Sequence, residues 1–97
     1  MRYTLDEIQE KVLPIAKAYD IESLGVFGSY ARQDAHEDSD IDICIGKGSL
    51  KSLFQYFSFV HDLQKTLDCH VDVVTTDIED KAFLEHILAE RVLLYER

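Results

Sequence analysis

The stretch Asp40-Ile41-Asp42-Ile43-Cys44-Ile45 constrains this chain more than any other. Acidic and apolar side chains alternate there with a period of two, which is the period of a β-strand. In a strand Ile41, Ile43 and Ile45 point into a core, while Asp40 and Asp42 project together from the other face. A helix would scatter the same residues around its circumference.

The flanking segments supply the rest of a layered domain. Thr4-Leu5-Asp6-Glu7 is a capping-box pattern, with Leu5, Ile8, Val12, Ile15, Ala16 and Tyr19 following at helical spacing. Pro14 inside that helix lacks a backbone donor and is expected to kink or split it. Ser23 to Phe27 reads as a strand running into Gly28-Ser29, with a helical turn at Tyr30-Ala31-Arg32-Gln33 and a polar loop from Asp34 to Ser39. Ser49 is the expected N-cap of a long helix through Leu67, burying Leu50, Leu53, Phe54, Phe57, Val60 and Leu67. Phe59 falls off that stripe and Tyr56 sits at its margin, so both read as surface aromatics. Val71 to Thr75 is a third strand. Thr76 or Asp77 is the expected cap of a last helix to about Glu90, and Val92-Leu93-Leu94-Tyr95 an edge strand with Tyr95 packed on the core. Strands alternating with helices predict an α/β (α+β) domain, a small mixed sheet of three to four strands packed against helices. No repeat or linker interrupts the chain, so residues 1–97 read as a single domain.

Charge narrows the partners. Ten Lys and Arg against nineteen Asp and Glu give a net charge of −9, the wrong sign for gripping a phosphate backbone. No direct DNA or long RNA binding is expected. The apolar runs are too short and too interrupted for a membrane span, and Met1 to Glu7 lacks the apolar stretch of a secretory leader, so a cytoplasmic protein is expected. Cys44 and Cys69 lie among apolar residues and read as buried reduced thiols. With His61 and His70 they match no common zinc spacing.

The chemistry concentrates in three pieces: Gly28-Ser29 after the first strand, Asp40 and Asp42 on the second, and Asp72 on the third. If the third strand lies beside the second, Asp72 joins the other two carboxylates on one patch. Three close carboxylates repel, and without a cation at least one should have a raised pKa. Divalent metals with oxygen ligands relieve that repulsion, and Mg2+ takes one or two carboxylates together with substrate phosphates. Two such ions stabilise the attacking and leaving oxygens of a phosphoryl displacement. The glycine turn exposes backbone N–H groups beside a serine hydroxyl, a combination suited to phosphate oxygens. Asp34, Glu37 and Asp38 read as a solvated loop with His36 a bystander in it. Arg32 is open to two readings, a phosphate contact or an ion pair with a loop acid. His61, His70 and His86 are assigned no catalytic role.

Gly28-Ser29, ten intervening residues, then Asp40-Ile41-Asp42 resembles the signature of the DNA polymerase beta-like nucleotidyltransferase superfamily. Gly28-Ser29-Tyr30-Ala31-Arg32 followed by Ser39-Asp40-Ile41-Asp42-Ile43 resembles its small prokaryotic branch, the minimal nucleotidyltransferases (MNT, MntA-like). The resemblance implies the nucleotidyltransferase fold, with Asp40, Asp42 and Asp72 as catalytic and metal-holding residues and Asp72 activating the attacking hydroxyl. It further implies Gly28 and Ser29 on the triphosphate, Arg32 at a phosphate or the loop, two Mg2+ ions, and ATP as substrate. The family often has glycine after the arginine where this chain has Gln33, which leaves the detailed loop shape open but not the metal site. Larger relatives carry an extra region that grips the acceptor, and this chain does not extend to one. Minimal members are paired with a HEPN-family RNase toxin, which they silence as antitoxins by transferring AMP to a tyrosine hydroxyl. The implied function is therefore a protein adenylyltransferase acting as an antitoxin. The alternative is a binding-only antitoxin that neutralises its partner by contact. Nucleobase, acceptor residue and stoichiometry are not legible in the residues.

Overall fold

The computed structural model describes residues 3–97; Met1 and Arg2, which open the stretch read above for a leader, lie outside the described residues. Helix α1 spans Leu5–Ala18 and begins at a true capping box: Thr4 Oγ1 accepts from the Glu7 N–H at 3.1 Å, and Glu7 Oε1 accepts from the Thr4 N–H at 2.8 Å. Pro14 neither splits the helix nor ends it. It lies on the solvent face, where water can satisfy the carbonyl one turn back, while Ile8, Val12 and Ala16 are buried on the other face.

Strand β1 (Ser23–Phe27) leads through Gly28 into the short helix α2 (Ser29–Arg32). Strand β2 (Ile41–Gly46) follows, then helix α3 (Leu53–Leu67), strand β3 (Val71–Thr75), helix α4 (Lys81–Glu90) and strand β4 (Val92–Glu96). The sheet order is β3-β2-β1-β4, so β3 and β4 are the edges. β1 runs antiparallel to both of its neighbours, and β2 and β3 run parallel, as a strand–helix–strand crossover requires. The mixed four-stranded sheet is the architecture expected from the alternation of elements, and Ile41, Ile43 and Ile45 are fully buried as expected.

One core lies between the sheet and the α1–α3 pair, joining Ile8, Val12, Leu24, Val26, Phe59 and Leu63 with the β2 isoleucines. Its α3 contribution differs from the expected one. The N-cap is Ser52, not Ser49: Ser52 Oγ accepts from the Gln55 N–H at 3.1 Å, and Gln55 Oε1 accepts from the Ser52 N–H at 3.2 Å. The helix buries Phe59, Leu63 and Leu67, with Tyr56 packed at the margin, whereas Leu53, Phe54 and Phe57 are 72%, 88% and 62% exposed. The segment carries apolar residues at two helical phases, and the one that reaches the sheet was set by packing. Phe59, expected at the surface, lies at the centre of the core, edge to face with Tyr19 at 5.4 Å between ring centroids. Leu50 is buried as expected, but from the loop before the helix.

The last helix is also capped later than expected. Asp80 accepts from the Phe83 N–H at 3.1 Å, while Asp77 instead pairs with Lys47 at 2.8 Å. Tyr95 packs against the core from the edge strand, as the sequence suggested. No helix among the described residues is long and apolar enough to cross a membrane. Both cysteines are free, Cys44 buried and Cys69 partly so, in line with reduced thiols.

Candidate active site

The parallel register of β2 and β3 sets Asp42 directly beside Asp72, flanked by the inward pairs Ile41–Val71 and Ile43–Val73. Asp40 stands one residue ahead of β2, on the same side as Asp42 by strand alternation. The three sequence-predicted carboxylates therefore share one face of the sheet, opposite the core. The fourth residue of this grid was not expected. The Ile41 N–H donates to the His70 carbonyl at 3.2 Å, so His70 stands beside Asp40 as Asp72 stands beside Asp42. Its Nδ1 lies 3.3 Å from Asp40 Oδ2 and 3.6 Å from Asp72 Oδ1. Ligand atoms of Asp40, His70 and Asp72 all fall within 4.8 Å of one another.

Asp42 is the most deeply set of the carboxylates. Its pKa is pushed up from the ordinary aspartate value to about 6, first by burial and then by the negative charge of Asp72 and a hydrogen bond with it. Asp40 adds a smaller push in the same direction, and the Arg32 guanidinium acts against it. The raised pKa that the sequence led one to expect among these carboxylates is found at Asp42, where burial contributes more than repulsion.

Gly28 completes the face. Its φ of +72° combined with a ψ of −149° lies in a region open essentially to glycine alone, and a Cβ built on it would collide with the Asp42 carboxylate. Glycine is thus required at this point twice over, by conformation and by space. The α2 turn that follows closes with Gln33 at φ +63°, its N–H donating to the Tyr30 carbonyl at 3.3 Å. The loop shape that the sequence left open at Gln33 is therefore resolved simply: glutamine adopts the left-handed cap that a glycine would take without strain.

Arg32 resolves to ion pairs. It meets the loop acid Asp34 at 3.3 Å, one of the two readings above, and also Glu90 at 3.1 Å. Glu90, at the end of α4, has no sequence signal that ties it to the site. Its Oε1 accepts from the Gly28 N–H at 2.6 Å, and its carboxyl is held below the usual glutamate range, first by that bond and also by Arg32. The Gly28 N–H is therefore already engaged. Asp34, Glu37, Asp38 and His36 lie in an exposed loop, as expected, and His61 and His86 are exposed on helices α3 and α4.

Oxygen donors from Asp40 and Asp72 with the His70 imidazole nitrogen form a donor set suited to divalent cations, with Asp42 beside Asp72 in the register, and the space left by the absent Gly28 Cβ keeps the turn close to Asp42. The patch is open. Cavities of about 290 Å³ beside Tyr3, Tyr30 and Gln33 and about 640 Å³ beside Leu50, Tyr56 and Phe83 lie away from the carboxylates. A phosphorylated ligand could approach the site directly from solvent.

A mixed sheet carrying a Gly-Ser turn at the end of its first strand, with helices packed on its core face, is the nucleotidyltransferase fold. The family described as Polymerase beta, Nucleotidyltransferase matches residues 10–97, and the chain belongs to that family. The chain is 33% identical over 94 residues to a Thermococcus cleftensis protein named protein adenylyltransferase MntA, covering 92% of this chain and 94% of that one. Among solved structures, a toxin–antitoxin crystal structure with AMP-PNP superposes with a TM-score of 0.77 at 21% identity, covering 92% of this chain and 73% of the other. A Shewanella oneidensis complex of a tri-AMPylated HEPN toxin with its MNT antitoxin gives a TM-score of 0.71 at 18% identity, covering 95% and 72%. At those identities the two structures speak for the fold.

Proposed function

We propose that this protein transfers AMP from ATP, with Mg2+, to a hydroxyl of a partner protein, and that the partner is a HEPN-family RNase toxin which the transfer silences. Support comes from membership of the nucleotidyltransferase family, from the relative named protein adenylyltransferase MntA, and from structural neighbours that pair a HEPN toxin with an MNT antitoxin. The observation that carries the reading is the pairing of Asp42 with Asp72 across β2 and β3, with Gly28 lying against the Asp42 carboxylate.

In this reading Asp40, Asp42 and Asp72 hold the metal ions, and Gly28, Ser29 and Arg32 form the rim that receives the triphosphate. The cations supply positive charge that neutralises the phosphate oxygens and the carboxylates together. Asp72 accepts the proton of the acceptor hydroxyl. The hydroxyl oxygen bonds to the α-phosphorus as the bond from that phosphorus to the bridging oxygen breaks, and pyrophosphate leaves with the electron pair. Asp42, whose charge is the costliest to hold without a cation, gains most from metal binding. The open patch suits an acceptor brought by a second protein. We further take residues 1–97 to act as a single catalytic domain in the cytoplasm.

Intact-mass measurement of the candidate toxin tests this. Incubation with the protein, ATP and Mg2+ should add adenylate-sized steps, which disappear with Asp40→Ala and Asp42→Ala. An unmodified toxin that is still bound and silenced would replace this reading with neutralisation by contact alone.

A further inference from the structure

Glu90 reaches the site from the far end of the chain, and its geometry goes beyond that of a surface ion pair. Its side chain is only 17% exposed, while the Arg32 it pairs with is 51% exposed. The 2.6 Å bond from the Gly28 N–H is the short, charge-assisted kind that contributes more than a neutral one. Arg32 Nη1 donates to both Glu90 oxygens at 3.2 and 3.1 Å, and His86 Nε2 lies 3.9 Å from Oε2. The placement follows from topology. Glu90 ends α4 with only Arg91 between it and β4, and β4 pairs with β1 so that Val92 stands opposite Val26, two residues before Gly28. The end of α4 is thereby pinned at the end of β1 from which the Gly-Ser turn departs.

Gly28 is consequently fixed by two carboxylates of different purpose. Asp42 lies where its Cβ would be, and Glu90 holds its N–H. We propose that Glu90 is a positioning residue of the nucleotide site, setting the spacing of the Gly28–Ser29 turn from Asp42 and holding Arg32 on the same rim. The inference rests on the reading of this face as the nucleotide site. It assigns Gly28 a role of shape and space, because its N–H serves Glu90, and leaves phosphate contacts to Ser29 and the residues after it.

Two conservative variants separate reach from charge. Glu90→Asp keeps the charge but falls a methylene short of the Gly28 N–H; Glu90→Gln keeps an acceptor at the same reach. Calorimetric titration with ATP and Mg2+, kinetics of transfer and thermal unfolding are measured on all three proteins. The expected result is about a tenfold weakening of nucleotide binding in Glu90→Asp, with a matching rise in KM for ATP. Glu90→Gln, which keeps the Gly28 bond but loses the charge that pairs with Arg32, should weaken binding less than Glu90→Asp, by about threefold, and both variants should keep the wild-type fraction of active sites. A merely structural role would lower that fraction and leave KM unchanged. Wild-type binding in Glu90→Asp, or an equal loss in both variants, overturns the inference while leaving the nucleotide site standing. Absence of nucleotide binding by wild type removes the site reading and the inference with it. Amide hydrogen exchange at Gly28 needs neither nucleotide nor the aspartate variant: protection in wild type and Glu90→Gln supports the clamp, and exchange at the rate of an open turn overturns it.

Discussion

Asp42 and Asp72 stand side by side across the parallel β2–β3 pair, and burial together with the neighbouring carboxylate pushes Asp42 up to about 6. Because the folded-state pKa exceeds the ordinary value, the folded protein binds this proton more tightly than the unfolded chain does. The stabilisation is complete below about pH 4 and is lost as pH rises through about 6. Asp42→Asn should therefore match wild type in metal-free urea unfolding at pH 4. Above pH 7 it should be the more stable by about 1 kcal/mol, after allowance for screening at a partly exposed site. A stability difference independent of pH would contradict this origin.

Gly28→Ala strains the turn and drives a methyl group into the Asp42 carboxylate. The expected cost is about 1–2 kcal/mol of stability and about a 100-fold loss of transfer rate, since the displaced turn misplaces the reacting groups. Denaturant unfolding and initial rates on the same preparation measure both effects.

Phe59→Ala removes a fully buried ring that packs against Tyr19, and should cost about 3–5 kcal/mol. Phe54→Ala, five residues earlier on the same helix, removes a ring that is 88% exposed. It should change the unfolding free energy by no more than about 0.5 kcal/mol. Equal effects of the two substitutions would mean that α3 presents its other face to the sheet.

Gln33→Gly replaces a glutamine held at φ +63° by the residue that tolerates that conformation best. The relief of strain exceeds the added freedom of the unfolded chain, so a gain of about 0.5–1 kcal/mol is expected in thermal or urea unfolding, with transfer unchanged.

The contrast between Asp42 and His70 shows what was legible. Asp42 belongs to an alternating run whose period is a property of the strand backbone, so its face could be read before any partner was known. His70 precedes a strand that carries no such acidic alternation, and its place beside Asp40 depends on the β2–β3 register. Glu90 was hidden for the same reason: its partner Gly28 is 62 residues away. The phase of α3 was ambiguous because apolar residues occupy both of its sides, and Ser49 and Ser52 both have the chemistry of a cap.

What the sequence determined by itself was local: the first capping box, the four strands, the Gly-Ser turn, and two carboxylates on one side of β2. These follow from backbone periodicity and from the conformational limits of single residues. Only the tertiary structure decided which face of α3 meets the sheet, that β3 brings His70 and Asp72 to Asp40 and Asp42, and that α4 ends with Glu90 on Gly28. Such contacts join distant segments, and they are set by the packing that buries the most apolar surface rather than by any pattern within one segment.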